Sequence, residues 1–178
     1  MNFLKNKNNN GFTLIELLVV VAIIGLLSSI VLTSLNDART KAKYAKAKVE
    51  LTQFVKMAII AQGESGKTLI GMTGSGCSNC VCYNRDLRNV PESDQCYINW
   101  KNALTAIQNA TNGTMSGADQ MLRDPWGSPY TLDENEREGS PNNCSLDVIY
   151  SPGPNGLVYA PGNNDDVGYS IPLSRSCP

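Results

Sequence analysis

The chain has 178 residues, 42% of them hydrophobic and 17% charged, which allows one globular domain plus an appendage and excludes both a disordered chain and a polytopic membrane protein. It contains no histidine, so Ser-His and Cys-His catalysis and every zinc site that needs an imidazole are removed. The formal net charge of −1 hides a basic neck, with six bases and two acids over residues 36–62, and an acidic head, with seven bases and thirteen acids over residues 63–178.

Residues 1–11 read as a leader whose only charges are Lys5 and Lys7. Residues 12–35, from Phe12 to Leu35, form an apolar run of 24 residues in which Glu16 is the single ionisable side chain. As a helix it would span roughly 36 Å, enough for a hydrocarbon core of about 30 Å. The basic leader predicts a cytoplasmic start and an extracytoplasmic remainder. A cleaved secretory signal has a similar layout, but its apolar run is usually ~7–15 residues long and closes on a small-residue site that is missing here. An ordinary membrane anchor leaves Glu16 unexplained, because a carboxylate within lipid costs about 2.5 kcal/mol or more and calls for a partner.

Gly11-Phe12-Thr13-Leu14-Ile15-Glu16-Leu17, after a basic leader and before an unbroken apolar helix, resembles the amino-terminal signature of type IV pilins and type II secretion pseudopilins. The resemblance implies that a membrane prepilin peptidase cuts between Gly11 and Phe12 and methylates the new amine. It also implies a partner for Glu16, the positive Phe12 amine of a neighbouring subunit, in a pair that would set axial register. Opposite charges in a low-dielectric bundle attract strongly, which agrees. Many members carry a helix-breaking proline where this chain has Thr33, and Gly25 is the one weak helix former inside the span.

Helical periodicity continues through residues 36–62. Ala38, Ala42, Ala45 and Val49 form one stripe, and Leu51, Phe54, Val55, Ala58 and Ile59 repeat as an amphipathic face expected to back the head. Lys41, Lys43, Lys46 and Lys48 could serve nucleic acid, but with no aromatic platform interleaved they fit a solvated or headgroup-facing neck better. Ala61 to Thr68 matches a loosened phosphate-loop pattern. Such a loop needs a strand before it and a helix starting at its lysine; here a long helix precedes, and Leu69 to Gly76 reads as too glycine-rich to begin one. A flexible turn, with no nucleotide bound, is the expectation.

The head, residues 63–178, holds Cys77, Cys80, Cys82, Cys96, Cys144 and Cys177. In an oxidising compartment an even number points to disulfides; a four-cysteine zinc site opened by Cys77-x-x-Cys80 lacks a second close pair. The family resemblance implies a Cys144–Cys177 bridge at the carboxyl end, leaving the other four to staple the 77–96 loop. A short helix is expected over Ser93–Ala110, with Trp100, Ala103, Leu104 and Ile107 on one face. Strand-like runs follow at Pro129–Leu132, Leu146–Ser151 and Leu157–Ala160.

Asp124-Pro125-Trp126-Gly127-Ser128-Pro129-Tyr130 is similar to a D-x-W-G-x-P-Y segment of major pseudopilins, and Asp147 to Val167 looks like their strand followed by a calcium loop. Calcium takes six to eight oxygens, which Asn155, Asn164, Asp165 and Asp166 could help supply; the family usually has an acid where Asn155 stands, and a solvated turn is the alternative. The expected fold is α+β and pilin-like, a long amino-terminal helix on a small antiparallel sheet. The expected role is non-enzymatic: a self-associating filament subunit, held as a single-pass precursor in the inner membrane, processed by the peptidase and added by separate assembly machinery to a periplasmic or extracellular fibre that needs no nucleic acid. A secretion pseudopilin is the alternative within the family; a phosphate-loop nucleotidase and an anchored binding protein stand outside it.

Overall fold

Uninterrupted helical periodicity with no internal proline carries one α-helix, α1, from Leu14 to Ser65, three residues beyond the expected end at Gln62. The computed structural model describes residues 11–112, 117–158 and 165–174. Its contacts divide it into two compact units, Met1–Lys41 and Ala42–Pro178.

In the first unit every large apolar side chain from Phe12 to Leu35 is at least 42% exposed, so the chain itself covers none of that surface. The segment is long and apolar enough to cross a membrane. α1 passes Gly25 and Thr33 without a break. The Ser29 and Thr33 hydroxyls donate to the carbonyls of Leu26 (2.8 Å) and Ile30 (2.9 Å), which satisfies them inside an apolar run.

In the second unit α1 buries Ala47, Leu51, Phe54, Ala58 and Ala61, a stripe at helical spacing. This corrects the expected stripe at its edges: Ala42, Ala45, Val49 and Ile59 are exposed and Val55 is partly buried, while Glu50, Met57 and Gln62 face inward. The residue types on either side are equally small or apolar, so periodicity alone does not choose the rotation; the head does.

After α1 comes a five-residue helix, α2 (Leu69–Thr73), where only a turn was expected. Thr68 caps it by accepting the Gly71 amide (3.2 Å), and Gly74 ends it in the left-handed region with its amide on the Ile70 carbonyl. The two caps outweigh the glycine content in so short an element. α3 (Gln95–Ala110) starts two residues later than expected, behind an Asp94 cap.

The sheet is antiparallel in the order β1 (Thr131–Asp133), β2 (Asp147–Ser151), β3 (Val167–Ile171). The first two correspond to the expected runs. The third does not: Leu157 and Val158 lie outside the sheet, residues 159 and 160 lie outside the described residues, and β3 is built from a segment without an apolar run. Gly168 has a packing reason to be there, since it sits opposite Tyr150, and a Cβ would meet that ring at 2.5 Å.

The core joins α1, α2, α3 and the sheet through Leu69, Trp100, Ile107, Leu132, Ile149 and Ile171. Trp100 lies at its centre, 5.2 Å from the Phe54 ring and 5.8 Å from Tyr130, with its indole N–H on the Met121 carbonyl (2.8 Å). That contact satisfies the one polar atom of a large apolar group.

Several carboxylates are buried around this core. Glu134 accepts the Ser78 amide and hydroxyl, and Glu136 accepts those of Ser174. Asp147 accepts the Glu136 amide through Oδ1, while its Oδ2 is buried without a hydrogen-bond partner. Burial, with Glu136 and Glu134 nearby, pushes the Asp147 carboxyl up to about 6. A raised carboxyl favours the folded state below its ordinary value near 4, and that contribution fades as pH rises through the folded value. Asp147→Asn should therefore raise stability at about pH 7.5, on the order of 2–3 kcal/mol, and change it little at about pH 4, as urea titrations at the two pH values would record.

Candidate functional site

Gly11, Phe12 and Thr13 precede the helix in non-helical backbone, and Gly11 and Phe12 are exposed, Phe12 by 83%. A bond in exposed, non-helical backbone is open to a peptidase, whereas one within a helix must first unfold. The expected cut between Gly11 and Phe12 falls on such a bond.

Glu16 lies one turn further on. Its Oε2 accepts both the Thr13 amide (2.8 Å) and the Thr13 hydroxyl (2.7 Å), while the Glu16 amide lies 3.3 Å from that hydroxyl oxygen. This is a reciprocal capping box, which satisfies otherwise orphaned groups at the start of the helix. The sequence reading passed over it, although Thr-x-x-Glu before an apolar run is its signature. The box uses Oε2 alone, and it leaves the net charge of the carboxylate uncompensated.

Tyr44, in the basic neck, meets Trp126 edge to face at 4.8 Å. The Tyr44 phenol is raised by burial and by the negative charge of Asp165. Lys43, Lys46 and Lys48 are exposed, and Lys46 reaches Glu50 at 3.7 Å. Glu50 was not singled out by sequence reasoning, yet it is 8% exposed and accepts the Tyr130 hydroxyl at 2.5 Å. Its signal was present: it stands three residues after Ala47 and four before Phe54, both on the buried face.

The Asp124–Tyr130 segment is a structural hub. Asp124 Oδ1 accepts the amides of Trp126 and Ser128 (both 2.9 Å), and Oδ2 accepts the Ser151 hydroxyl (2.6 Å). Burial raises the Asp124 carboxyl and these hydrogen bonds oppose the rise. The segment thus ties its turn to β2 through Asp124 and to α1 through Trp126 and Tyr130.

The loop after β2 brings Asn155 and Asp165 together. Asn155 donates from its backbone amide to Asp165 Oδ2 (3.1 Å) and from Nδ2 to Oδ1 (2.7 Å), and its own Oδ1 accepts the Leu157 amide (2.7 Å). Asn164 lies outside the described residues. Among the described residues no group of three or more His, Cys, Asp or Glu is placed to hold a metal ion. Asn155 puts a donor, not an oxygen, towards Asp165, so the residues present do not fit a cation at that point.

Two disulfides, Cys77–Cys80 and Cys82–Cys96, staple the 77–96 loop, and Cys144 is also disulfide-bonded. Cys177 lies outside the described residues. The phosphate-loop pattern is divided between structures: residues 61–65 form the last turn of α1, with Ala61 and Gln62 buried, and Thr68 caps α2. Among the described residues no strand precedes the pattern, and its first half is helix instead of loop.

The prokaryotic N-terminal methylation motif matches residues 6–32. The type II secretion system core protein G of Klebsiella pneumoniae is 29% identical over 91% of this chain and 94% of that protein. The protein of the same name from Escherichia coli (strain K12) is 28% identical over 88% of each chain. The type IV major pilin protein PilA of Myxococcus xanthus is 46% identical, over 26% of this chain and 21% of its own length. The chain thus carries the N-terminal methylation motif and is similar to type II secretion core protein G over most of its length and to type IV pilins over a shorter stretch. No solved structure matches at a comparable level of significance. The motif match at residues 6–32 includes the Gly11–Phe12 bond and Glu16, while similarity to core protein G extends over 91% of the chain.

Asp124→Ala should destabilise the head by about 2–4 kcal/mol in chemical denaturation, because it orphans two amides and a hydroxyl at once. Asp124→Asn, which keeps an acceptor at Oδ1, should cost less.

Proposed function

We propose that this chain is a structural, non-enzymatic filament subunit, released from its leader at the Gly11–Phe12 bond and assembled by packing of its apolar helix against other copies. The observation that carries the proposal is Glu16, the one ionisable side chain in an apolar surface that the chain itself leaves uncovered. An anchor needs no acid there. A subunit that must stop at a defined height beside its neighbour does, because the Phe12 amine freed by cleavage supplies a positive charge at the same depth.

Disulfides persist in oxidising compartments, and the bonded cysteines all follow the apolar segment, which supports a head outside the cytoplasm and a precursor in the inner membrane. The partners are then further copies of the chain, a prepilin peptidase and an assembly machine. The secretion pseudopilus is favoured as a second reading by one observation: similarity to core protein G runs through about nine-tenths of the chain, while the match to the Myxococcus pilin covers about a quarter.

Glu16→Gln is expected to reduce fibres in electron micrographs of producing cells by at least tenfold, while cleavage continues and membrane levels hold. Amino-terminal sequencing of the mature subunit should begin at a methylated Phe12. Normal fibres from the Glu16→Gln chain, or a mature protein that still starts at Met1, would sink the proposal.

A further inference from the structure

We infer that in this chain the Asn155 carboxamide takes the place of a cation, so that Asn155 and Asp165 are joined directly by hydrogen bonds and their junction is independent of calcium. The family resemblance implies calcium at this loop, and the disagreement turns on one side-chain atom.

A bound cation requires oxygens to converge on it, and an N–H directed into the same space excludes it. The orientation of Asn155 is fixed by its neighbours. The Leu157 amide donates to Asn155 Oδ1 at 2.7 Å; turning the carboxamide over would oppose two donors, so Nδ2 must face the other way. There it donates to Asp165 Oδ1 at 2.7 Å, and the Asn155 backbone amide takes Asp165 Oδ2 at 3.1 Å. Both Asp165 oxygens are thus held by one residue.

An acid at position 155 would keep its bond to the Leu157 amide but would set a second carboxylate oxygen against Asp165. Two like charges at hydrogen-bond range do not stay ionised together without a counter-charge. In that version of the loop a cation would relieve the repulsion, and with asparagine the same contact is attractive without one.

The other side of the clasp is also made by the chain. Gly153 has φ near +70°, and a Cβ there would stand 2.4 Å from the Asp165 carbonyl oxygen, so the backbone of Asp165 is received against a position only glycine allows. The Gly153 amide lies 3.3 Å from Ser151 Oγ, which donates to Asp124. A continuous polar chain therefore runs from the Asp124 turn through β2 to Gly153, where the Asp165 backbone packs, and Asp165 is latched by Asn155. The inference concerns the head alone and stands apart from whether the chain polymerises.

The test is thermal unfolding of the full-length chain in detergent, in millimolar calcium chloride and in excess chelator, together with hydrogen exchange across residues 153–158. Wild type should give the same Tm and the same protection in both. Asn155→Ala should lower Tm and loop protection equally in both. Asn155→Asp should lose several degrees and the loop protection in chelator, and regain them with calcium chloride but not with sodium chloride of equal ionic strength. A calcium-dependent Tm or loop protection in the wild-type chain would overturn the inference. So would an Asn155→Ala chain as protected as wild type in chelator. Should Asn155→Asp fail to fold in chelator, its recovery by calcium during refolding supports the inference, and failure to recover counts against it.

Discussion

A single carboxylate in the otherwise apolar run from Phe12 to Leu35 is the constraint from which the rest of this molecule follows. Glu16 cannot stay charged in lipid without an offsetting partner, and the structure supplies only part of one. Thr13 gives its amide and hydroxyl to Oε2, which orients the carboxylate without supplying a counter-charge. A cation at about 4 Å adds roughly 4 kcal/mol at an effective dielectric constant of 20. The capping box holds the acid one turn from the Phe12 amine that cleavage would free.

The head follows a related rule. Although the segment beyond α1 is strongly acidic, its buried carboxylates are answered by amides and hydroxyls: Asp124 by Trp126, Ser128 and Ser151, Glu134 by Ser78, Glu136 by Ser174. Glu50 reaches a lysine, but Lys46 is 61% exposed, and such pairs contribute at most about 1 kcal/mol. Each carboxylate joins segments far apart in sequence, so these acids fix how loops meet the helix and sheet. Asp147 is the exception, with one oxygen unanswered, and there the cost of burial appears as a raised carboxyl.

How far the sequence could be read depended on whether a feature was local. The apolar run, Glu16 and the scissile bond are contiguous, and α1 declared itself by period and by the absence of proline. α3 was legible from the spacing of Trp100, Ala103, Leu104 and Ile107. β3 was not, because Gly168 and Ser170 dilute its alternation and the reason for Gly168 is the Tyr150 ring on another strand. α2 was hidden by glycines whose effect its caps reverse. The anchoring roles of Glu50 and Asp124 could not be read locally because their partners, Tyr130 and Ser151, lie 80 and 27 residues away. In the loop the sequence does not reveal that the Leu157 amide decides which way Asn155 faces.

The exposed helix explains why assembly and membrane residence are linked. In lipid, the uncovered side chains from Phe12 to Leu35 gain little from meeting another helix, since acyl chains are as apolar as they are. In water the same surface is prohibitive, at about 1.5–3 kcal/mol for each large side chain left bare. A subunit can therefore leave the bilayer only if other copies cover it as it goes. Apolar packing supplies that cover but is indifferent to sliding, because leucine against valine is nearly as good one turn higher or lower. A point charge is not indifferent. On the reading proposed above, one acid per helix, matched to one amine at a fixed distance along the axis, would convert a non-directional attraction into a single register, which gives a reason for a residue so costly in lipid to stand in an apolar run.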